Sequence, residues 1–499
     1  MSSGSPGGRG ISFSIGAAPR RPEPARPAEA ALHVLVAADC SGRAGRGVRE
    51  PLGARRAQRV DVDRWDDVVA SWRARVETPL CSAAGEPVWL EPRSLDDLHP
   101  DRLLENVPVL AEIVALLKKV NSDPSAAARL EALIGSAAEA APSVAPADAG
   151  AGASTSASAS AATAETSTDT LARLLGGAAA SAPPRSDAPK PGAPAHVDLT
   201  QFIRAIIGSP PGATPEASVD RSALEAAAQA ELARRLRLLL ASPALRALEA
   251  TWRGIDGLCR ECPDEVRVHL SVLDASFDEL VADPVGLSGC LERSAATVLL
   301  VDHHFSAEAE PLRALSALID VCQARDVELL AAAHPHLAGC AHFAEVSQPE
   351  ENAWVLPDDA SAAWAEVLRA RERGARFSLA LPRFCLRQPY GASGEPLEHF
   401  RFEEILDPAD HEAFPWGNGA YLLARAIGIR HANANHGLHP DGSLDVRELP
   451  VVHIEGDEES RLKPCAESWL SERSLGRLRA GGFSVLLGLR DTDRVRIYF

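Results

Sequence analysis

No run of 18 apolar residues occurs in this chain, which excludes a membrane-spanning helix. The N-terminal MSSGSPGGRGISFSIGAAPRRPEP has no apolar core before a cleavage site. A secretory signal is therefore not expected, and the cytoplasm is the expected compartment. Neither a Walker A sequence nor a GxGxxG after a strand is present, which removes two Gly-rich phosphate cradles. Cys259-x-x-Cys262 matches half a zinc site or a redox motif, but it has no second CxxC near it and ends a helix instead of starting one, so no helix dipole activates a thiol. The nine cysteines, at 40, 81, 259, 262, 290, 322, 340, 385 and 465, are odd in number and widely spaced. That spacing fits reduced thiols, not a disulfide framework.

Positive charge is also short, and unevenly so. Formal net charge is -18, with 17 basic and 18 acidic residues over 11–135 but 30 and 46 over 198–499. A polyanion such as nucleic acid is a poor partner for the second half. A basic protein surface is a better electrostatic match.

At 499 residues and 46% hydrophobic content the chain has room for two or three domains with buried cores. Its organisation is read as a disordered tail over 1–30, a first domain over 31–135, a linker over 136–197 and a second domain over 198–499. The linker, with APADAGAGASTSASASAATAETST and SAPPRSDAPKPGAPAH, lacks large apolar side chains. Such a composition cannot recover the entropy of folding. One island, TDTLARLLGG, puts Leu171, Leu174 and Leu175 at helical spacing, the pattern of a docking peptide.

The first domain reads as small and α+β. LHVLVAAD is an apolar strand ending in Asp39-Cys40-Ser41-Gly42-Arg43, and EPVWLEP is another strand. SLDDLHPDRLLENVPVLAEIVALLKKV has helical spacing, broken into two helices at Pro108. The second domain opens with two helices, the latter capped by Ser242-Pro243. Alternating VRVHLSVLD, continuous ATVLLVDHH, a helix near 308–325, VELLAAAHP, FSLALP and a helix at NGAYLLARAIGI follow. This predicts an α/β domain with a mixed sheet. The last segment reads as a hairpin turning at Asp491-Thr492-Asp493, its final strand an exposed edge.

No reactive constellation emerges. Asp302, His303 and His304 are expected on a loop after a buried strand, solvated, with no third metal ligand placed by spacing. Asp39-x-Ser41-Gly42 lacks an activating histidine and is explained by a turn. His431, His436 and His439 fall in a stretch read as a polar loop. No catalytic, cofactor-binding or metal residues are assigned, and no cofactor is expected.

LALPRFCLRQPYG places Arg383 and Arg387 beside Pro389-Tyr390-Gly391. Two cations at a rigid turn could hold an anion or pin the fold; with no reactive constellation in the sequence, the pin is expected. Glu398, Glu403, Glu404 and Glu467 are the candidate partners. Pro389 would fix the backbone, and Gly391 would permit a left-handed turn.

These words carry a resemblance. LLLASPALRALEATWRGIDGL, with Trp252 and Arg253, resembles a helix pair of the large subunit of the type VI secretion contractile sheath (TssC/VipB). The Pro-Arg…Arg-Pro-Tyr-Gly stretch is similar to another segment of that family. So is FPWGNGAYLLAR, with Trp416, Gly417 and Asn418, and so is the Lys-Pro-Cys-x-Glu block ending at Glu467. VAADCSGR and SLDDLHPDRLLENVPVLAEIVALL resemble the small sheath subunit (TssB/VipA), with Cys40 at a position usually aromatic or aliphatic.

The resemblance implies a small subunit fused to a shortened large one. It implies a structural role: assembly around an inner tube, driven outward on contraction. Implied partners are copies of the chain or other sheath subunits, an Hcp-like tube protein, baseplate components and a ClpV-type unfoldase. The expected unfoldase-docking helix is DLTQFIRAIIG, with Phe202, Ile203, Ile206 and Ile207. Family large subunits continue past the final hairpin and are longer between Asp283 and Thr297. These departures carry the alternative, a non-polymerising adaptor or cap. A lesser alternative is an α/β enzyme with a site near Asp302, His303 and His304.

Overall fold

The computed structural model describes residues 31–82, 84–139, 221–261, 267–340, 342, 356, 358–432, 442–454 and 461–499. The linker peptides at Leu171 and at Phe202, Ile203, Ile206 and Ile207 lie outside these residues, as do Cys262, His436 and His439.

The first segment contributes β1 (Leu32–Ala38), β2 (Gln58–Val60), α1 (Trp65–Trp72), and the β3 (Val76–Cys81) and β4 (Pro87–Leu90) hairpin. Then come α2 (Pro100–Asn106), α3 (Pro108–Leu117) and α4 (Pro124–Glu139). Pro108 does split α2 from α3. It fits as the first residue of α3, where its missing N–H would have no partner anyway.

The second segment opens with α5 (Arg221–Leu240) and α6 (Pro243–Glu261), then β5 (Val268–Asp274), α7 (Phe277–Ala282), α8 (Pro284–Arg293) and β6 (Val298–Phe305). It continues with α9 (Ala309–Ala324), β7 (Glu328–Ala333), α10 (Asp358–Glu372), β8 (Phe377–Leu381), β9 (Phe384–Cys385), β10 (Trp416–Gly417) and α11 (Ala420–Ala432). Last come β11 (Leu444–Val446), β12 (Val452–Ile454), β13 (Arg461–Lys463), α12 (Glu472–Ala480), β14 (Ser484–Gly488) and β15 (Val495–Tyr498).

The α/β class with a mixed sheet is what the structure has. A nine-stranded sheet runs in the order β11-β15-β14-β8-β7-β6-β1-β5-β2. Strand β1, from the first segment, lies inside it, third from the β2 edge. It pairs in parallel with β5 from Leu32 opposite Val268 to Ala38 opposite Asp274. It also pairs in parallel with β6, from Val34 opposite Val298 to Ala37 opposite Val301. The two segments therefore complete one sheet.

Both faces of that sheet are covered. Side chains of β1 alternate: Val34, Val36 and Ala38 join one core with α5, α6 and α11, and Leu35 and Ala37 join the other with α8, α9 and α10. A strand buried on both sides must be apolar throughout, and LHVLVAA nearly is.

The final hairpin corrects one expectation. β15 lies between β14 and β11, so it is not an edge. Short β11 covers it, and Arg496 Nε donates to Asp445 Oδ1 across the pair at 2.7 Å.

Candidate functional site: an ion-pair pin at the carboxyl edge of the sheet

The recurring words of the sequence converge at the carboxyl ends of the parallel strands. After β1 the chain turns toward β5 and β2, and after β6 it turns the other way to β7. A crevice opens where these connections diverge, as is usual in such sheets. Its volume is about 820 Å³, and Asp39, Asp302, His303, His304, Arg383 and Arg387 help line it.

Arg387 is the centre of the pin. Its Nε donates to Glu249 Oε1 of α6 at 2.7 Å, and its Nη1 and Nη2 fork onto Glu404 at 2.7 and 2.9 Å. Its guanidinium also lies over the Tyr390 ring, 4.0 Å from the centroid. Arg253 closes the group, donating to Glu249 Oε1 at 2.8 Å and to the Tyr390 hydroxyl at 3.2 Å. Burial works to raise the Glu249 carboxyl, but Arg387 and Arg253 outweigh it and hold it at about 2.

Arg383 forms a second pair. It grips buried Glu467 through its guanidinium, and its backbone N–H donates to Glu467 Oε2 at 3.0 Å. It also forks onto exposed Glu412 at 2.7 and 3.0 Å. His411 Nε2 lies 3.0 Å from Glu467 Oε1. Burial raises the Glu467 carboxyl, but hydrogen bonds from His411 and Arg383 bring it to about 2. His411, Glu412 and Glu467 are close enough together to hold a cation. Arg383 already lies against both carboxylates.

Of the four expected partners, Glu404 and Glu467 are used. Glu412 and Glu249 replace Glu398 and Glu403. Glu249 sits about 140 positions from Arg387 and carries no local signal. Glu398 instead uses its N–H to meet Asp101 of the first segment at 3.1 Å. Glu403 lies under Gly391, where an added Cβ would come 2.2 Å from Glu403 Oε2. Glu403 Oε2 is the far end of a side chain that can shift, so that approach alone does not demand Gly391. Its φ of 158° is far from the left-handed turn expected.

The Trp-Gly-Asn segment holds Asp302. Asn418 Nδ2 donates to Asp302 Oδ1 at 2.9 Å, and Tyr421 and Thr251 hydroxyls donate to Oδ2 at 2.9 and 2.7 Å. Burial still pushes that carboxyl up. Asp302, His303 and His304 are thus inside β6 and not on a solvated loop, because the strand runs on to Phe305. His303 stacks flat on Phe277 at 3.6 Å. Burial lowers it to about 4, and burial with the Arg383 charge lowers His304 to about 3. Trp416 and Gly417 form β10 against β9, and Trp416 Nε1 donates to His411 O at 2.8 Å. His431 is on α11 and not in a loop.

The first segment enters the same site. Trp252 Nε1 donates to Cys40 O at 2.9 Å. Cys40 N and Ser41 Oγ donate to the Asp274 carboxylate at 2.9 and 2.8 Å. Arg43 and Arg55 both grip buried Glu279 at the start of α7. Gly42 turns the chain at φ 73°, and an added Cβ would strike Arg75 O at 2.6 Å. The Ser-Gly-Arg word is therefore a joint between segments. Among the described residues no helix is long and apolar enough to cross a membrane.

Comparison with known proteins agrees with this division. Residues 21–141 match the family described as type VI secretion system, VipA, VC_A0107 or Hcp2. Residues 293–498 match VipB, the EvpB/VC_A0108 tail sheath N-terminal domain. The type VI secretion system sheath protein TssC1 of Pseudomonas aeruginosa PAO1 is 26% identical over 295 residues, covering 54% of this chain. The chain spans 58% of the length of that relative.

Proposed function

We propose, from a chain that fuses a VipA-family segment to a VipB-family tail-sheath segment, that it is a structural component of a contractile type VI secretion sheath. The observation that supports this most is the place of β1. A strand from the VipA-type segment fills the sheet between β5 and β6. One polypeptide thereby supplies both parts of a sheath unit in fixed 1:1 ratio.

The role is mechanical and needs no catalytic group. Copies of the chain, or other sheath subunits, would build an extended lattice around an Hcp-like inner tube in the cytoplasm. Contraction on a baseplate would drive the tube outward. A ClpV-type unfoldase would recycle the contracted lattice through the Phe202, Ile203, Ile206 and Ile207 segment. The ion-pair pin, with Arg383, Arg387 and Glu467, would keep the unit rigid while the lattice rearranges.

Negative-stain electron microscopy of the purified chain, with and without tube protein, tests this. Tubular or ring assemblies are expected. Monodisperse single copies under both conditions would contradict it. Substoichiometric binding to full-length sheath subunits, without self-assembly, would identify an adaptor instead.

A further inference from the structure

Of the 51 lysines and arginines only four are lysine, Lys118, Lys119, Lys190 and Lys463. Lys463 is the one lysine of the second segment, where arginine supplies every other fixed positive charge. It opens the Lys-Pro-Cys-x-Glu block, from which the pin takes only Glu467. On β13 it stands opposite Val452 of β12. Its Nζ lies over the Phe414 ring, 3.7 Å from the centroid, and 5.6 Å from that of Trp416. Among the described residues Nζ makes no hydrogen bond and no ion pair.

An ammonium normally keeps its water or gains a carboxylate in exchange. Here it has two aromatic rings, which replace hydration only in part. Burial lowers the amine from its ordinary value, against Cys385, Glu467, Asp410 and Glu412, the titratable groups around it, which all favour the ammonium. Lys463 is only half-buried, so a small reagent can still reach it. Lysines desolvated against apolar walls are the amines that act as nucleophiles near neutral pH. Lys118 and Lys119, just past α3, are exposed and solvated.

We propose that Lys463, on its shelf of Phe414 and Trp416, is an acylation site that takes a short acyl group from a thioester. The neutral amine attacks the thioester carbonyl and forms the C–N bond. The C–S bond breaks, and the thiolate leaves as the thiol with the proton that the nitrogen gives up. The product is a neutral amide, so the shelf loses its cation. Trp416 also carries the Arg383 guanidinium, 5.9 Å from its ring centroid, and donates to His411 O. The modification therefore acts beside the Arg383–Glu467 pair. It does not depend on the sheath reading.

The full-length chain, treated with acetyl-coenzyme A and read by peptide mass spectrometry, tests this. Lys118 and Lys119 serve as solvated references within the same molecule. Near neutral pH, Lys463 is expected to acetylate at least tenfold faster than either. The ratio is expected to shrink as pH rises toward about 10.4, where solvated lysines lose their proton too. A half-buried lysine of purely structural role would react more slowly than the references at every pH. Lys463→Arg keeps the charge and is expected to abolish the fast phase. Acetylation of Lys463 at or below the rate of the references, a ratio that does not change with pH, or a fast phase that survives in Lys463→Arg would each overturn the proposal.

Discussion

Arg387 Nε meets Glu249 Oε1 at 2.7 Å with both side chains less than a tenth exposed. The pair joins α6 to the segment after β9, and Glu404, further along that same segment, completes it. Removing one member of a buried pair strands the others without compensation. Arg387→Ala should cost ~3–5 kcal/mol in urea unfolding at neutral pH. Arg387→Lys should recover only part of that, because an ammonium cannot fork onto Glu404 while meeting Glu249. A loss below ~0.5 kcal/mol for the alanine variant would contradict the pin.

Arg383 separates a buried contact from an exposed one within a single side chain. Glu467 is 1% exposed and Glu412 is 61% exposed. Glu467→Ala and Arg383→Ala should each cost ~3 kcal/mol or more. Glu412→Ala should cost ~0–1 kcal/mol, since water already screens it. Equal losses for the two glutamates, read by thermal and urea unfolding, would show that burial is not what sets these energies.

Acid should weaken the fold in two stages. His303 and His304 sit at about 4 and about 3, against 6.5 when unfolded. As pH falls below 6.5 the unfolded chain gains protons first, so stability drops by ~1.4 kcal/mol per pH unit for each group until its folded value is reached. Glu249 and Glu467, lowered from 4.5 to about 2, contribute fully above 4.5 and lose that contribution as pH falls toward 2. Asp302, raised by burial, has the opposite sign and favours the fold as pH falls. Unfolding free energy measured across pH should therefore decline from about 6.5 downward. His303→Gln should flatten the 6.5-to-4 limb by one group's slope; an unchanged limb would contradict the assignment.

Much of this was legible in the sequence because motif residues mark positions with strict local demands. Gly42 had to be glycine for its backbone and for Arg75 O, and Asn418 had to reach Asp302. Helices α2, α3, α6 and α9 followed from apolar spacing and proline placement. Pairing between distant segments was not legible. Nothing in LHVLVAAD says that it slots between β5 and β6, since any doubly buried strand has the same pattern. Glu249 was missed as a partner because a glutamate inside an amphipathic helix looks like any solvated one. Asp302 was misread because strand ends cannot be fixed to the residue from an apolar run.

The Trp252-Arg253-Gly254 stretch allows a paired test. A Cβ on Gly254 would meet the Tyr421 ring at 2.6 Å, whereas Gly257 has nothing within 4 Å. Gly254→Ala should destabilise by ~1–3 kcal/mol through overpacking. Gly257→Ala, on the same helix, should stabilise by ~0.5–1 kcal/mol by helix propensity. Matching signs in thermal unfolding would show that α6 does not pack on α11 as described.

The central claim is that the two segments fold as one body around β1. A protease site placed within 140–220 of the full-length chain allows the connection to be cut after folding. Size-exclusion chromatography of the cut protein should show both pieces eluting together, with one unfolding transition. Separation into two folded pieces with independent transitions would contradict the claim.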